Sequence, residues 1–163
     1  MKVLIAFVIG LIVAPVLFGI AAVSGFLPSD SASNPPGWEA SLGMRALDTS
    51  LEKRSGRLRN PITANDQRAL AAGQNIYAKD CAGCHGDAKG PSEWGAKGFY
   101  PRPPQFFQEG SDVTAPEAYA AIRDGIRYSG MAAWRGQMKD DDMWKVANLV
   151  ANIHVKGGMK DMD

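Results

Sequence analysis

Hydrophobic positions along this chain fall into one continuous block and several periodic ones. From Val3 to Leu27 no charged residue interrupts the run, and Lys2 precedes it. As an α-helix the run extends about 37 Å, enough to cross a hydrocarbon core of about 30 Å with some tilt. Pro15 near its middle is tolerated in a span. The run is longer than the roughly 7 to 15 residues of a signal-peptide core, so an uncleaved transmembrane helix over 1–27 is expected. Ala22-Val23-Ser24 keeps a cleaved signal as the competing reading. Lys2 on the short side assigns the N-terminus to the cytoplasm and the rest of the chain to the opposite face.

Residues 28–60 are expected as a linker. Pro28, Ser29, Ser31, Ser33, Asn34, Pro35 and Pro36 have little capacity to pack. From Trp38 to Leu58 a weak helical period follows, with Leu47, Leu51 and Leu58 on one face and Arg54 between them. Lys53, Arg54, Arg57 and Arg59 are interrupted by Ser55, Gly56 and Leu58. A solvated spacer helix is therefore favoured over one that rests on anionic head groups or an acidic partner.

Residues 61–163 read as one helical domain. Thr63 or Asn65 can cap a helix that runs to about Lys79, with Asp66 in its first turn. Gly73, Ile76 and Tyr77 share a face of it, and Gly73 permits close approach of another helix. Gly86 to Pro116 is rich in proline and glycine and shows no strand pattern. A compact domain holds so long a loop only if the loop packs against something other than itself. Pro116 opens a helix over Glu117 to Asp124 that Gly125 ends. A loop with Ser129-Gly130-Met131 follows. Asp140, Asp141 and Asp142 then give a cap and an acidic first turn. The last helix runs to about His154, with Met143, Val146, Val150 and Ile153 along its buried side. The fold class is all-α.

Composition changes this picture little. The 163 residues carry a formal net charge of +1, with no internal repeat and no block of like charge, which speaks against nucleic acid and strongly charged substrates. The two cysteines, in contrast, decide the chemistry.

Both lie in Cys81-Ala82-Gly83-Cys84-His85, the C-x-x-C-H pattern of c-type haem attachment. Two thiols at this spacing can each bind one vinyl carbon of a porphyrin. His85, next to the second thiol, then falls under the iron as an axial nitrogen ligand. A single motif implies one covalent haem c. A zinc site normally needs four protein ligands, and His154 is too remote in sequence to complete one. A redox dithiol would want a βαβ setting, which the chain does not offer. A purely structural pair is the remaining alternative.

The second axial ligand is sought among Met131, Met138, Met143, Met159 and Met162, because thioether sulfur favours ferrous iron. Met143 fits a core role on the last helix, and Met159 and Met162 fall in a charged tail. Met138 lies just before the helix cap. Met131, after a serine-glycine pair that lets the chain bend over the haem face, is the expected ligand, with Trp134 packing at the haem periphery. His154 is the non-sulfur alternative.

Together these segments resemble class I cytochromes c. Gly73-Gln-Asn-Ile-Tyr77 with Cys81-Ala-Gly-Cys-His85-Gly86 is similar to their first helix and haem motif. Ser129-Gly130-Met131-Ala-Ala-Trp134 is similar to their distal-ligand loop, and Asp142-Met-Trp144-Lys-Val146 to the opening of their last helix. The resemblance covers roughly 61–156. It implies that the first and last helices cross at Gly73 and Tyr77, with Leu149 where the family usually has an aromatic residue. It also implies a proline carbonyl that accepts the other N–H of His85, for which Pro91 is the candidate. The N-terminal run together with Phe99-Tyr-Pro-Arg-Pro-Pro-Gln-Phe106 is similar to membrane-anchored monohaem cytochromes of proteobacteria.

The expected function is that of a one-electron carrier, tethered to a bacterial cytoplasmic membrane with its haem on the periplasmic side. Its partners are redox proteins at that membrane, with no small-molecule substrate and no catalysis. A fixed electron-entry subunit of a larger oxidoreductase is the alternative. A haem enzyme or gas sensor is the reading if Met131 does not bind.

Overall fold

A computed structural model describes residues 2–26 and 29–154, the side chains of residues 3–6 excepted. The chain divides into two compact units, Met1–Ser33 and Asn34–Asp163.

The first unit is one helix, α1 (Lys2–Val23), with Pro15 inside it. Phe7, Leu11 and Phe18 are exposed on its surface. Among the described residues no helix is long and apolar enough to cross a membrane. The transmembrane helix expected over 1–27 is corrected to this extent. The helix forms but stops at Val23, because the backbone turns at Ser24 and Gly25, where Gly25 takes a φ of 77°. Leu27 and the side chains of 3–6 lie outside the described residues.

The second unit is helical throughout, and no strand occurs among its described residues. Its elements are α2 (Gly37–Ser55), α3 (Gln67–Asp80), α4 (Ala82–His85), α5 (Glu93–Lys97), α6 (Phe106–Glu109), α7 (Ala115–Asp124) and α8 (Asp140–Ala151). The single turns α4, α5 and α6 fall where sequence showed only the haem motif and a loop.

Side-chain chemistry sets the starts of α3 and α7. Asp66, not Thr63 or Asn65, caps α3. Its carboxylate accepts from the N–H groups of Arg68 (2.9 Å) and Ala69 (3.1 Å), satisfying donors that a first turn leaves unpaired. At the start of α7 the Glu117 carboxylate accepts from the N–H (2.8 Å) and the hydroxyl (2.6 Å) of Thr114. That fastening sets the start of α7 at Ala115 instead of Glu117. Asp140, Asp141 and Asp142 lie in the first turn of α8, behind an N-cap at Lys139. Lys145 pairs with Asp141 (2.6 Å) and Asp142 (2.8 Å) one turn on. The helix ends at Ala151, short of His154.

The core forms where α3 and α7 both pack on α8. α3 and α8 meet at Gly73, where a Cβ would collide with the backbone carbonyl of Lys145 and come within 3.3 Å of Leu149 Cβ. Leu149 therefore fills the place of the expected aromatic by seating directly on a glycine. Tyr77 is 2% exposed and meets Phe107 edge-on, with ring centroids 5.4 Å apart. Tyr119 of α7 stacks on Trp144 of α8 at 4.0 Å. Met143, Val146, Ala147 and Val150 complete the buried face of α8.

Two features went unread in the sequence. Asn148 is 1% exposed and ties the chain ahead of α3 to α8. It accepts from Asn60 Nδ2 (2.9 Å) and donates to the Ala64 carbonyl (3.2 Å). The other feature is the seating of α2. Within the segment expected as a linker, Leu51 and Ser55 are buried and α2 packs against α7. Only its first half, with Trp38, Leu42 and Met44 exposed, matches a solvated spacer.

Candidate functional site

The motif begins where α3 ends. The N–H of Cys81 closes the last turn of α3 on the Tyr77 carbonyl (2.9 Å), and its own carbonyl accepts from the N–H groups of Cys84 (3.1 Å) and His85 (3.0 Å). One turn thus carries both thiols and the imidazole. Gly86 ends it with a φ of 68°; a Cβ there would meet the Gly90 carbonyl and Gln105 Oε1 within 2.9 Å. Only glycine combines that dihedral with that crowding.

His85 is held by the chain 19 residues on. Its Nδ1 lies 2.9 Å from the Pro104 carbonyl oxygen, and its ring stacks on Phe106 with centroids 5.1 Å apart. Pro91, the expected acceptor, is replaced by Pro104. The reason is the path of the loop: Pro91 folds over Gly86, and the chain returns beneath the imidazole only at Pro103-Pro104-Gln105. With Nδ1 engaged, Nε2 is the nitrogen left to bind a metal. Burial lowers the pKa of His85, while the Pro104 carbonyl works in the opposite direction.

Gln105, 2% exposed, fixes this return. Its Nε2 donates to the carbonyls of Cys84 (3.0 Å) and Pro103 (2.9 Å), and its Oε1 accepts from Ser92 N–H (2.8 Å). Ser92 in turn donates from its hydroxyl to the Gly83 carbonyl (2.6 Å) and accepts from Gly95 N–H (2.8 Å). Both ends of the proline-rich loop are thereby fastened to the backbone of the motif.

The two thiols are free and half-buried. Burial, with the Asp80 charge and Cys84 adding to it, pushes the Cys81 thiol up to about 12. Redox dithiols work from depressed thiol pKa values, the opposite of the direction at Cys81. Among the described residues no group of three His, Cys, Asp or Glu side chains could hold a metal ion.

Met131 is half-buried and packs, like Cys81, against the common hydrophobic core. Its loop is closed by Ile126 N–H on the Met131 carbonyl (3.0 Å) and by Ser129 Oγ, which accepts from Met131 N–H (3.1 Å). At Gly130 a side chain would strike the Phe99 ring, so the proline-rich loop and the methionine loop touch there. Trp134 and Met138 also pack on the core. Met143 is 1% exposed within it, and His154 is exposed beyond α8. Met159 and Met162 lie outside the described residues.

Residues 68–150 match the family described as cytochrome C oxidase, cbb3-type, subunit III. The chain belongs to this family of class I c-type cytochromes.

A search of curated proteins gives no match. Among solved structures, a chain of the Kuenenia stuttgartiensis reducing HAO-like protein complex Kustc0457/Kustc0458 is similar at 20% identity and a TM-score of 0.45. The match covers 64% of this chain and 55% of that one.

A cytochrome c domain carries covalently bound haem c, and its role is electron transfer. The residues present fit the cofactor. Cys81 and Cys84 stand free on one turn with the spacing of the attachment motif, and His85 is oriented with Nε2 to spare. Of the residues that build this site, sequence reasoning missed Gln105 and the acceptor at Pro104. The run Pro103-Pro104-Gln105 carries no periodic signal, and its role depends on a loop path that only the fold sets.

Proposed function

We propose that this cytochrome is a membrane-tethered one-electron carrier whose haem c is ligated by His85 and Met131. The observation that carries the reading is the hydrogen bond from His85 Nδ1 to the Pro104 carbonyl, which presets the imidazole as a ligand through Nε2. Haem iron, when bound, supplies a ferric–ferrous couple that needs no bond chemistry in the protein. His85 and Met131 are the residues that would hold the iron, and with both bound no place would be left for a substrate. Tyr77, Phe107 and the buried face of α8 exclude water from the interior side.

The tether is the charge-free run Val3 to Leu27, of which α1 keeps its apolar side chains exposed. Lys2 argues for a cytoplasmic N-terminus, and so for a haem domain on the periplasmic side of a bacterial cytoplasmic membrane. Tethering raises the effective concentration beside membrane redox partners. A second reading, a fixed electron-entry subunit, is favoured by the exposed Trp38, Leu42 and Met44 at the start of α2, which a neighbouring subunit could cover.

The test is optical and biochemical. The full chain should show the near-infrared sulfur–iron band when ferric, bind no carbon monoxide when ferrous, and need detergent for extraction. Ready carbon monoxide binding would point to an open-site haem enzyme or gas sensor. Stoichiometric co-purification of a second protein in mild detergent would replace the free carrier with the subunit.

A further inference from the structure

We infer that Arg54, on a helix outside the segment matched by the family, is a positioning residue that holds the Met131 loop closed. The inference rests on Met131 as the distal ligand. Arg54 lies on the face of α2 that meets α7, where its Nη1 donates to the Gly125 carbonyl at 3.2 Å and lies 3.9 Å from Asp124 Oδ2.

Gly125 is the pivot between α7 and the loop. Its N–H closes α7 on the Ala121 carbonyl (2.8 Å), and its φ is 68°. A Cβ there would lie 2.8 Å from both the Met131 carbonyl oxygen and the Ala133 nitrogen. The loop backbone thus passes directly over this peptide. The next residue, Ile126, makes the 3.0 Å bond that closes the loop on Met131. Arg54 therefore restrains the peptide unit from which the loop departs.

Asp124 extends the restraint to the far limb. Its carboxylate is bound by Arg123 (2.7 Å) and by Arg135, four residues past Met131. The backbone adds Trp134 N–H to the Ile122 carbonyl and Arg135 N–H to the Arg123 carbonyl, each at 3.0 Å. Arginine side chains from α2, from α7 and from beyond the loop thus converge on one carboxylate, and the first of them also grips the pivot. Helix packing alone does not account for Arg54. Its Nε is buried without a partner, a cost that an apolar residue on this face would not incur. What the guanidinium adds is a charge-assisted hydrogen bond to a carbonyl at the base of the loop.

The experiment uses the full haem-loaded chain in detergent, with Arg54→Gln, Met131→Leu and, as a control on the exposed side of the same segment, Arg57→Gln. Imidazole reaches ferric iron only when the sulfur leaves, so its apparent affinity reports loop opening. Arg54→Gln should raise that affinity about tenfold and speed hydrogen exchange of the Ile126, Trp134 and Arg135 amides by a similar factor. Amides of α3 and α8 should keep wild-type exchange, and Arg57→Gln should match wild type throughout. If Met131→Leu abolishes the near-infrared band while Arg54→Gln stays within twofold of wild type, the ligand stands and Arg54 has no positioning role. Exchange that accelerates equally in every helix would make Arg54 a general packing residue and overturn the inference. A band that survives Met131→Leu removes the ligand reading itself, and the inference with it.

Discussion

The Nδ1 of His85 and the carbonyl oxygen of Pro104 lie 2.9 Å apart, although 19 positions of chain separate the two residues. The imidazole comes from the attachment turn and its restraint from the far end of a proline-rich loop. The geometry of the metal side of the site is therefore only as good as the fastening of that loop.

Gln105 is that fastening. Replacing it with Leu leaves the Cys84 and Pro103 carbonyls and the Ser92 N–H without their partner in a buried place. Each lost partner carries a desolvation penalty, and a total of about 2–4 kcal/mol is expected. Urea unfolding of the holoprotein should show it as a lower midpoint at unchanged slope. Loss of the restraint on Pro104 should also shift the reduction potential, which a remote destabilising change of equal size would leave in place.

Covalent attachment depends on two thiols. Cys81→Ala and Cys84→Ala should each retain at most one thioether bond, and the double replacement should lose haem during denaturing electrophoresis. Haem stain that persists on the double variant would exclude the attachment chemistry assigned to this turn.

Asp124 gives the domain an acid-sensitive element. Hydrogen bonding to Arg123 first, and to Arg135 after it, holds the carboxyl down to about 2 against an ordinary 3.8. The folded state thus binds this proton less readily than the unfolded state does. The stabilisation is complete above about 3.8 and is lost as pH falls toward 2. Asp124→Asn should lower stability at neutral pH and flatten that acid limb. Parallel curves for the two proteins between pH 4 and pH 2 would refute the assignment.

Two glycines should respond with opposite signs. Gly73→Ala places a methyl against the Lys145 backbone, and overpacking of this kind costs about 1–3 kcal/mol. Gly43, within α2, has nothing within 4 Å of its missing Cβ. Gly43→Ala should therefore stabilise by about 0.5–1 kcal/mol through the unfolded chain. Thermal melts of both variants beside wild type decide the matter.

What was legible in the sequence follows from how local each signal is. The C-x-x-C-H turn needs only five consecutive residues, α3 and α8 announce themselves by the faces their residues share, and α7 by the proline and glycine at its ends. The crossing of α3 and α8 at Gly73 followed from family resemblance and is found as expected, with Tyr77 buried in the same core against Phe107. Helix starts differ by a few residues, because Asp66 lies beside Thr63 and Asn65, which can cap as well, and because Pro116 takes the second position of α7, not the first. Pro104, Gln105 and Asn148 were invisible for a different reason. Each acts across a long gap in sequence, on backbone groups that carry no residue identity. The packing of α2 on α7 was hidden by Arg54, whose charge breaks the apolar face that would have signalled a buried helix.

The crossing of α3 and α8 also sets an order of events. At 14 residues α3 is near the limit below which an isolated helix fails to persist in water, and α8 is the helix it packs on most. Synthesis at about 5–20 residues per second separates the two helices by several seconds. Throughout that interval the turn bearing Cys81 and Cys84 hangs from a helix with no finished partner. The thiols sit at the end of a helix whose packing partner is the later of the two to be made.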